Sequence, residues 1–310
     1  MLSRLNEYGK KREPIFFVMD FEKNELILGE ENLLYKLEDK KNYESKKHLH
    51  VELKRRDFLD FESYRSKIKL IKEEIKRGNT YLLNFTCKTK LGPDLDLEKV
   101  FYSSLAPFKL LIKDRFVCFS PERFVKIEDN EISTYPMKGT IDANIKNAKE
   151  KILADKKEMS EHTMVVDLLR NDLSMVSSDV KVEKFRYIQK IKAGEKELLQ
   201  VSSKITGQLD KNWHNHLGDI INTLLPAGSI SGTPKRKTVE IIKKIENYNR
   251  GFFTGVFGYY DGKSLDSAVA IRFIEKTKEG YVYKSGGGIT IDSDELSEYE
   301  EMKDKVYIPL

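Results

Sequence analysis

No run of apolar residues in this sequence approaches the ~18 that a membrane-spanning helix needs. Residues 1–8 lack the apolar core of a secretory leader. The expectation is a cytoplasmic protein that does not bind membranes. Cysteine is scarce, with only Cys87 and Cys118, each inside an alternating apolar stretch. They read as small core-facing residues in a reducing compartment, not as a disulfide or metal pair. Charge of one sign is not in excess: 55 Lys and Arg stand against 50 Asp and Glu, a formal net charge of +5. Basic residues interleave with acids, as in 67–77 and 146–157, which is the composition of solvated helix faces and excludes a nucleic-acid binder. Repeats, low-complexity tracts and Pro/Gly/Ser-rich linkers are missing too. That favours one domain over residues 1–310, in which a variable amino-terminal stretch, residues 1–57, precedes a core, residues 58–310.

What is present is a mixture of helical and strand periodicity. Residues 15–21 and 25–28 flank a Glu22-Lys23-Asn24 turn and read as a hairpin, followed by a highly charged connector, 38–56. Tyr64, Ile68, Ile71 and Ile75 recur at helical spacing, and Gly78 is the expected stop. Strand patterns follow at 80–91, 108–119, 122–128 and 131–137. In the second half, helical patterns (144–157, 159–174, 212–224, 235–247, 293–305) alternate with strands (180–188, 196–209, 251–260, 265–275, 280–284). Several strands follow one another through tight turns such as Asp261-Gly262, so an α+β fold with large antiparallel sheets is expected rather than a doubly wound one.

Three segments carry candidate chemistry. Pro226-Ala227-Gly228-Ser229-Ile230-Ser231-Gly232-Thr233-Pro234-Lys235 precedes a helix and can present backbone N–H groups to an anion, although an ordinary helix entry reads equally well. Ser285-Gly286-Gly287-Gly288-Ile289 exposes backbone and is followed by an acidic helix. On that helix Glu298 and Glu301 are i, i+3 and share a face, either as a solvated first turn or as ligands for a cation such as Mg²⁺. Third, Glu161-His162-Thr163-Met164-Val165-Val166-Asp167-Leu168-Leu169-Arg170-Asn171-Asp172-Leu173 reads as a buried helix. Asp167, Arg170, Asn171 and Asp172 should be paired within it, while Glu161, at its solvent end, is free to be a ligand.

These segments join Ser120-Pro121-Glu122-Arg123-Phe124, Pro136-Met137-Lys138-Gly139-Thr140, Gly255-Val256-Phe257-Gly258-Tyr259 and Ile271-Arg272 in one order across residues 78–305. The set resembles the chorismate-binding family, whose members include the large subunits of anthranilate and aminodeoxychorismate synthases, isochorismate synthases and salicylate synthases. The resemblance implies one α+β domain of two packed antiparallel β-sheets with helices outside. It also implies Mg²⁺ held by Glu161, Glu298 and Glu301 against the ring carboxylate of chorismate. Arg272, Tyr259 and the backbone of Gly286 and Gly287 would take the enolpyruvyl carboxylate, with Lys235 close by, and Glu122 would be the general acid for the C4 hydroxyl.

Within the family, Lys138 points to members that make 4-amino-4-deoxychorismate on the way to 4-aminobenzoate and folate, where this lysine is a nucleophile. Leu82 stands where isochorismate-forming members have a water-activating lysine, and where amine-transferring members commonly have glutamine. Gln200 stands where many relatives have histidine. Neither cysteine sits at a nucleophile elbow, so this chain should not hydrolyse glutamine, and the resemblance implies a separate glutaminase subunit that supplies ammonia. Anthranilate synthesis is the nearest rival reading; a non-catalytic scaffold binding a glutaminase is the rival of another class.

Overall fold

The structure is a computed structural model that describes residues 1–46, 51–193 and 196–310. Within the charged connector, residues 47–50 lie outside these. Among the described residues two nine-stranded sheets form, antiparallel at every junction. The first runs β11 (Met137–Asp142), β13 (Lys196–Gln208), β10 (Glu131–Thr134), β9 (Arg123–Glu128), β16 (Leu265–Val269), β15 (Val256–Tyr260), β1 (Ile15–Met19), β2 (Leu26–Leu28), with β12 (Ser178–Ala193) also on β13. The second runs β14 (Gly232–Thr233), β6 (Leu82–Leu91), β18 (Gly280–Ile289), β17 (Phe273–Thr277), β8 (Phe116–Ser120), β7 (Phe108–Ile112), β3 (Leu33–Leu37), β4 (Lys40–Lys41), with β5 (Arg56–Asp57) on β6. The amino-terminal strands are thus woven into both sheets.

Side-chain alternation explains the layering. Phe16 and Val18 of β1 join Phe257, Leu110, Phe116 and Phe273 in a core between the sheets. Their neighbours Phe17 and Met19 point the other way, onto α5 (Lys156–Ser174) and α6 (Leu217–Leu224) through Val165, Leu169, Ile221 and Leu224. Both faces of β1 are covered, so all five residues are buried. The far face of the second sheet is covered by α2 (Phe61–Lys76), α3 (Leu97–Ser103), α7 (Lys235–Glu246) and α8 (Glu295–Asp304). Helix α2 buries the expected Tyr64, Ile68 and Ile71, and Asp60 caps it by accepting from the Ser63 amide, worth about 1 kcal/mol.

Three readings are corrected. Residues 265–275 are not one strand: Leu265–Val269 belongs to the first sheet and Phe273–Thr277 to the second. The strand expected over 280–284 runs on to Ile289, so the backbone of the glycine segment 286–288 is the end of β18, paired with residues 84–86 of β6. A helix, α1 (Ser3–Lys11), stands where none was expected, and the break expected between 157 and 159 falls earlier, at Asp155, between a short α4 (Ala148–Ala154) and α5.

Two crossovers between the sheets meet at one seam. Pro121 and Glu122 carry the chain from β8 to β9, and residues 270–272 carry it from β16 to β17. They are pinned side by side: Val269 N donates to Glu122 O at 3.1 Å, and Phe119 N to Arg272 O at 3.1 Å. Arg272 adopts the left-handed backbone conformation (φ 51°), uncommon for a non-glycine residue and costly enough to be found mostly where a side chain must be aimed.

Candidate active site

A cavity of about 200 Å³ opens at this seam. Glu122 and Arg272 enter it from the two crossovers, Lys138 from β11, Ser229 from the loop before α7, and residues 285–288 from β18. Leu82 and Gln200, the two departures from the family pattern, both lie on its wall.

Arg272 is half-buried, its Nε has no hydrogen-bond partner, and among the described residues it makes no ion pair. Its guanidinium lies over the Tyr307 ring, 5.4 Å from the centroid. An unpaired arginine at the back of a cavity is ready for a planar anion, because leaving its donors unsatisfied is costly until one arrives. Opposite, Ser229 Oγ donates to Glu122 Oε1. Burial pushes the Glu122 carboxyl up, outweighing Ser229, Arg272 and Lys305, so it holds a proton to higher pH than an exposed glutamate.

The acids form a mixed-charge corner. Glu161 on α5 and Glu298 on α8 are each 4% exposed. Glu161 faces Lys138 and lies 3.9 Å from Lys157; Lys157 is 3.4 Å from Glu298, and Lys305 is 2.6 Å from Glu301. Lys305 also donates to Gly286 O at 2.9 Å, which ties α8 to the floor strand. Burial works to lower the Lys138 ammonium, but Glu161, with Glu301 and Glu158 behind it, outweighs burial and holds it above the ordinary lysine value. Burial pushes Glu158 up, and its Oε2 has no partner.

The glycines of β18 are set by close approach. A Cβ on Gly286 would lie 2.0 Å from Phe85 O, a clash with backbone that cannot be relieved. On Gly287 it would meet Lys305 Nζ at 3.2 Å, Glu301 Oε1 at 3.6 Å and Glu298 Oε2 at 3.8 Å, so both carboxylates converge on this floor. Gly286→Ala should therefore lower the melting temperature, whereas Gly287→Ala should stay within a few degrees of wild type in a thermal melt. Equal losses would mean that the close approach at Gly286 is not real.

Several expectations need correcting. Tyr259 does not line the cavity; it pairs with Phe16 and Asp266 in the sheet, and its ring lies against Tyr35 and under Lys40 Nζ at 3.4 Å. Lys235 also turns away, held by Asp172 at 2.8 Å and Leu224 O at 3.0 Å, and the wall is formed by residues 228–232 rather than by the start of α7. Glu161 is buried and paired, not free at a solvent end. Of the residues expected inside α5, only Asp172 is buried; Asp167 and Arg170 pair on the surface, Asp167 being 76% exposed, and Asn171 is exposed. Sequence reasoning missed Phe253, Thr254 and Lys305 on the wall and Lys157 at the acids. Lys157 and Lys305 each stand four residues from an acid already singled out, which was the available signal.

Comparisons with known proteins bear on the family and the fold. The profile of a family described as "chorismate binding enzyme" matches residues 10–310. An uncharacterized PabA-like protein of Haemophilus influenzae is 47% identical, over 100% of this chain and 96% of its own length. Aminodeoxychorismate synthase component 1 of Escherichia coli is 30% identical over 79% of this chain and 56% of its own length. The menaquinone-specific isochorismate synthase of Escherichia coli shares the fold, with a TM-score of 0.77 at 17% identity, covering 97% of this chain and 79% of that one.

Proposed function

This chain belongs to the chorismate binding enzyme family, and within it we propose that the cavity converts chorismate and ammonia to 4-amino-4-deoxychorismate. That the chain acts on chorismate follows from the family. The amination is supported above all by Lys138, a lysine projecting into the cavity that also holds Glu122 and Arg272. Arg272 takes the enolpyruvyl carboxylate as a planar anion. Lys138 Nζ, as the neutral amine, bonds to C2, the ring double bonds shift, and the C4–O bond breaks as Glu122 gives its proton to the departing hydroxyl, which leaves as water. Ammonia bonds to C4, the ring double bonds shift back, and the C2–N bond of the secondary ammonium breaks to return Lys138 as a neutral amine; the ammonium now on C4 gives a proton to the Glu122 carboxylate, which restores the acid.

Magnesium fits the acidic corner by the chemistry of its donors. Glu161, Glu298 and Glu301 are hard oxygen ligands, and the orphaned Glu158 Oε2 leaves acid in excess of Lys138, Lys157 and Lys305. Among the described residues no three such groups stand together as a ready-made metal cluster, because each carboxylate is turned toward a lysine. Lys157, its side chain 47% exposed, has room to withdraw into solvent. Bound there by Glu161, Glu298 and Glu301, the ion would neutralise and orient the ring carboxylate.

Ammonia comes from a separate glutaminase in this reading. Cys87 and Cys118 are both buried, and burial pushes the Cys87 thiol up to about 12, so neither offers the thiolate a glutaminase needs. Ammonium should support product formation by the pure chain, and glutamine alone should not; glutamine-driven turnover of the isolated chain would refute this.

The pH dependence follows from two groups that must react in their minority forms. Glu122 must be protonated although its pKa is below that of Lys138, and Lys138 must be neutral although Glu161 holds it charged. The fraction of protein in that state rises with pH up to the Glu122 pKa and is flat between the two values. It falls only above the Lys138 pKa. Glu122→Gln removes the first inflection, so its residual rate should climb about tenfold per pH unit across the range in which wild type is level. Parallel profiles of kcat for the two proteins would show that Glu122 is not the acid.

A further inference from the structure

Arg250 is among the most deeply buried side chains of the protein, 1% exposed, and it touches no part of the proposed reaction. A guanidinium has five N–H groups, and every one of them finds an acceptor. Nε donates to Glu246 Oε2 at 2.9 Å; one terminal nitrogen donates to Glu246 Oε1 at 2.6 Å and Asn84 O at 2.7 Å; the other donates to Ile230 O at 2.8 Å and Thr254 Oγ1 at 3.4 Å. Asn84, Ile230 and Thr254 all line the cavity, and they come from β6, from the loop carrying Ser229, and from the turn before β15.

The hub is itself fixed. Glu246 Oε1 also accepts from Thr86 N at 2.8 Å and Thr86 Oγ1 at 2.7 Å. The main chain of Arg250 is held at both ends, its N–H by Glu22 at 2.9 Å and its carbonyl by Lys284 Nζ at 2.9 Å. Burying a charge this completely is costly before any partner is counted, and apolar packing of the same volume is often as stable. Stability therefore gives a weak reason for an arginine here. The geometry gives a stronger one, since a rigid planar fork can hold three separate walls at fixed spacing and an ammonium cannot.

We propose that Arg250 is a positioning residue that sets the spacing of three cavity walls and, through the loop it holds at Ile230, keeps Ser229 against Glu122. The inference rests on the reading of this cavity as the chorismate site. Arg250→Lys keeps the charge but offers only three donors on a compact head, so at least two acceptors lose their partner and the loop loosens. The expected result is a kcat about 10²-fold lower with the chorismate KM changed less than about threefold, because Arg272 is not touched. The low-pH inflection of kcat should also move to higher pH. Glu122 faces Ser229, Arg272 and Lys305, and of these only the Ser229 hydroxyl, which holds its pKa down, is released.

The test compares wild type, Arg250→Lys and Lys109→Met with chorismate, Mg²⁺ and ammonium, well below each melting temperature. Lys109 is a buried cation that donates to Phe101 O and Ser104 O, away from the cavity, and controls for lost packing. Lys109→Met should melt lower and keep the wild-type kcat and inflection. If Arg250→Lys yields no folded protein, Glu246→Gln, which keeps the shape of the side chain and drops the charge binding two of the five donors, is judged on the same two readouts. A folded variant with kcat within about twofold of wild type and an unmoved inflection overturns the inference alone. A wild-type protein that leaves chorismate unchanged overturns the reading of the cavity and the inference with it.

Discussion

Lys138→Ala should fold, lose 4-amino-4-deoxychorismate formation from ammonia by about 10³-fold or more, and acquire weak amination at C2. The magnitude follows from losing a nucleophile that works as a unit with its acid, where removing one member forfeits most of the effect of both. The product change follows from geometry: an amine bonded at C2 blocks that carbon and sends ammonia to C4, so removing it reopens C2. Some stability goes too, because Glu161 is left with only Lys157 at 3.9 Å. Product identification by mass spectrometry on the folded variant checks it. A wild-type rate with an unchanged product would mean that Lys138 is electrostatic and that ammonia attacks C4 directly.

Glu161→Ala and Glu298→Ala should each abolish magnesium-dependent turnover, with unequal effects on folding. Glu298→Ala strands only Lys157, which is half-exposed and can turn to solvent, so its melting temperature should stay near wild type. Glu161→Ala strands Lys138 in a corner where burial disfavours the charged form, so it should melt lower. Magnesium titrations of turnover, with calorimetric titration of the metal into each chain, separate the two effects. Either variant keeping wild-type activity and the same magnesium dependence would remove its glutamate from the ligand set.

Glu298 and Glu301 are legible in the sequence because i, i+3 spacing on one helix needs no tertiary information, and so is α2, whose apolar residues repeat at its own period. Helix α1 is not, since the helix is short and the residues it buries are Leu5 and Gly9, of which the glycine carries no apolar signal. The break at residues 270–272 is invisible for a different reason. Buried residues end one strand, Ser267 to Val269, and begin the next, Phe273 and Ile274, so nothing in the local pattern marks the change of sheet. Tyr259 is misplaced by its motif because neighbouring strand residues face opposite ways, and a position in a motif does not say which face the cavity is on. In the sequence Lys157 and Lys305, which oppose Glu161 and Glu301, read only as helix-surface charge. Arg250 leaves no local signal at all, as its five acceptors are spread over residues 84–254.

The most direct measurement is the product formed when the pure chain is incubated with chorismate, Mg²⁺ and ammonium at mildly alkaline pH. Mass spectrometry should find chorismate with its C4 hydroxyl replaced by an amino group and its enolpyruvyl ether intact, formed only when magnesium is present. Anthranilate with released pyruvate, isochorismate, or unchanged chorismate would contradict the assignment.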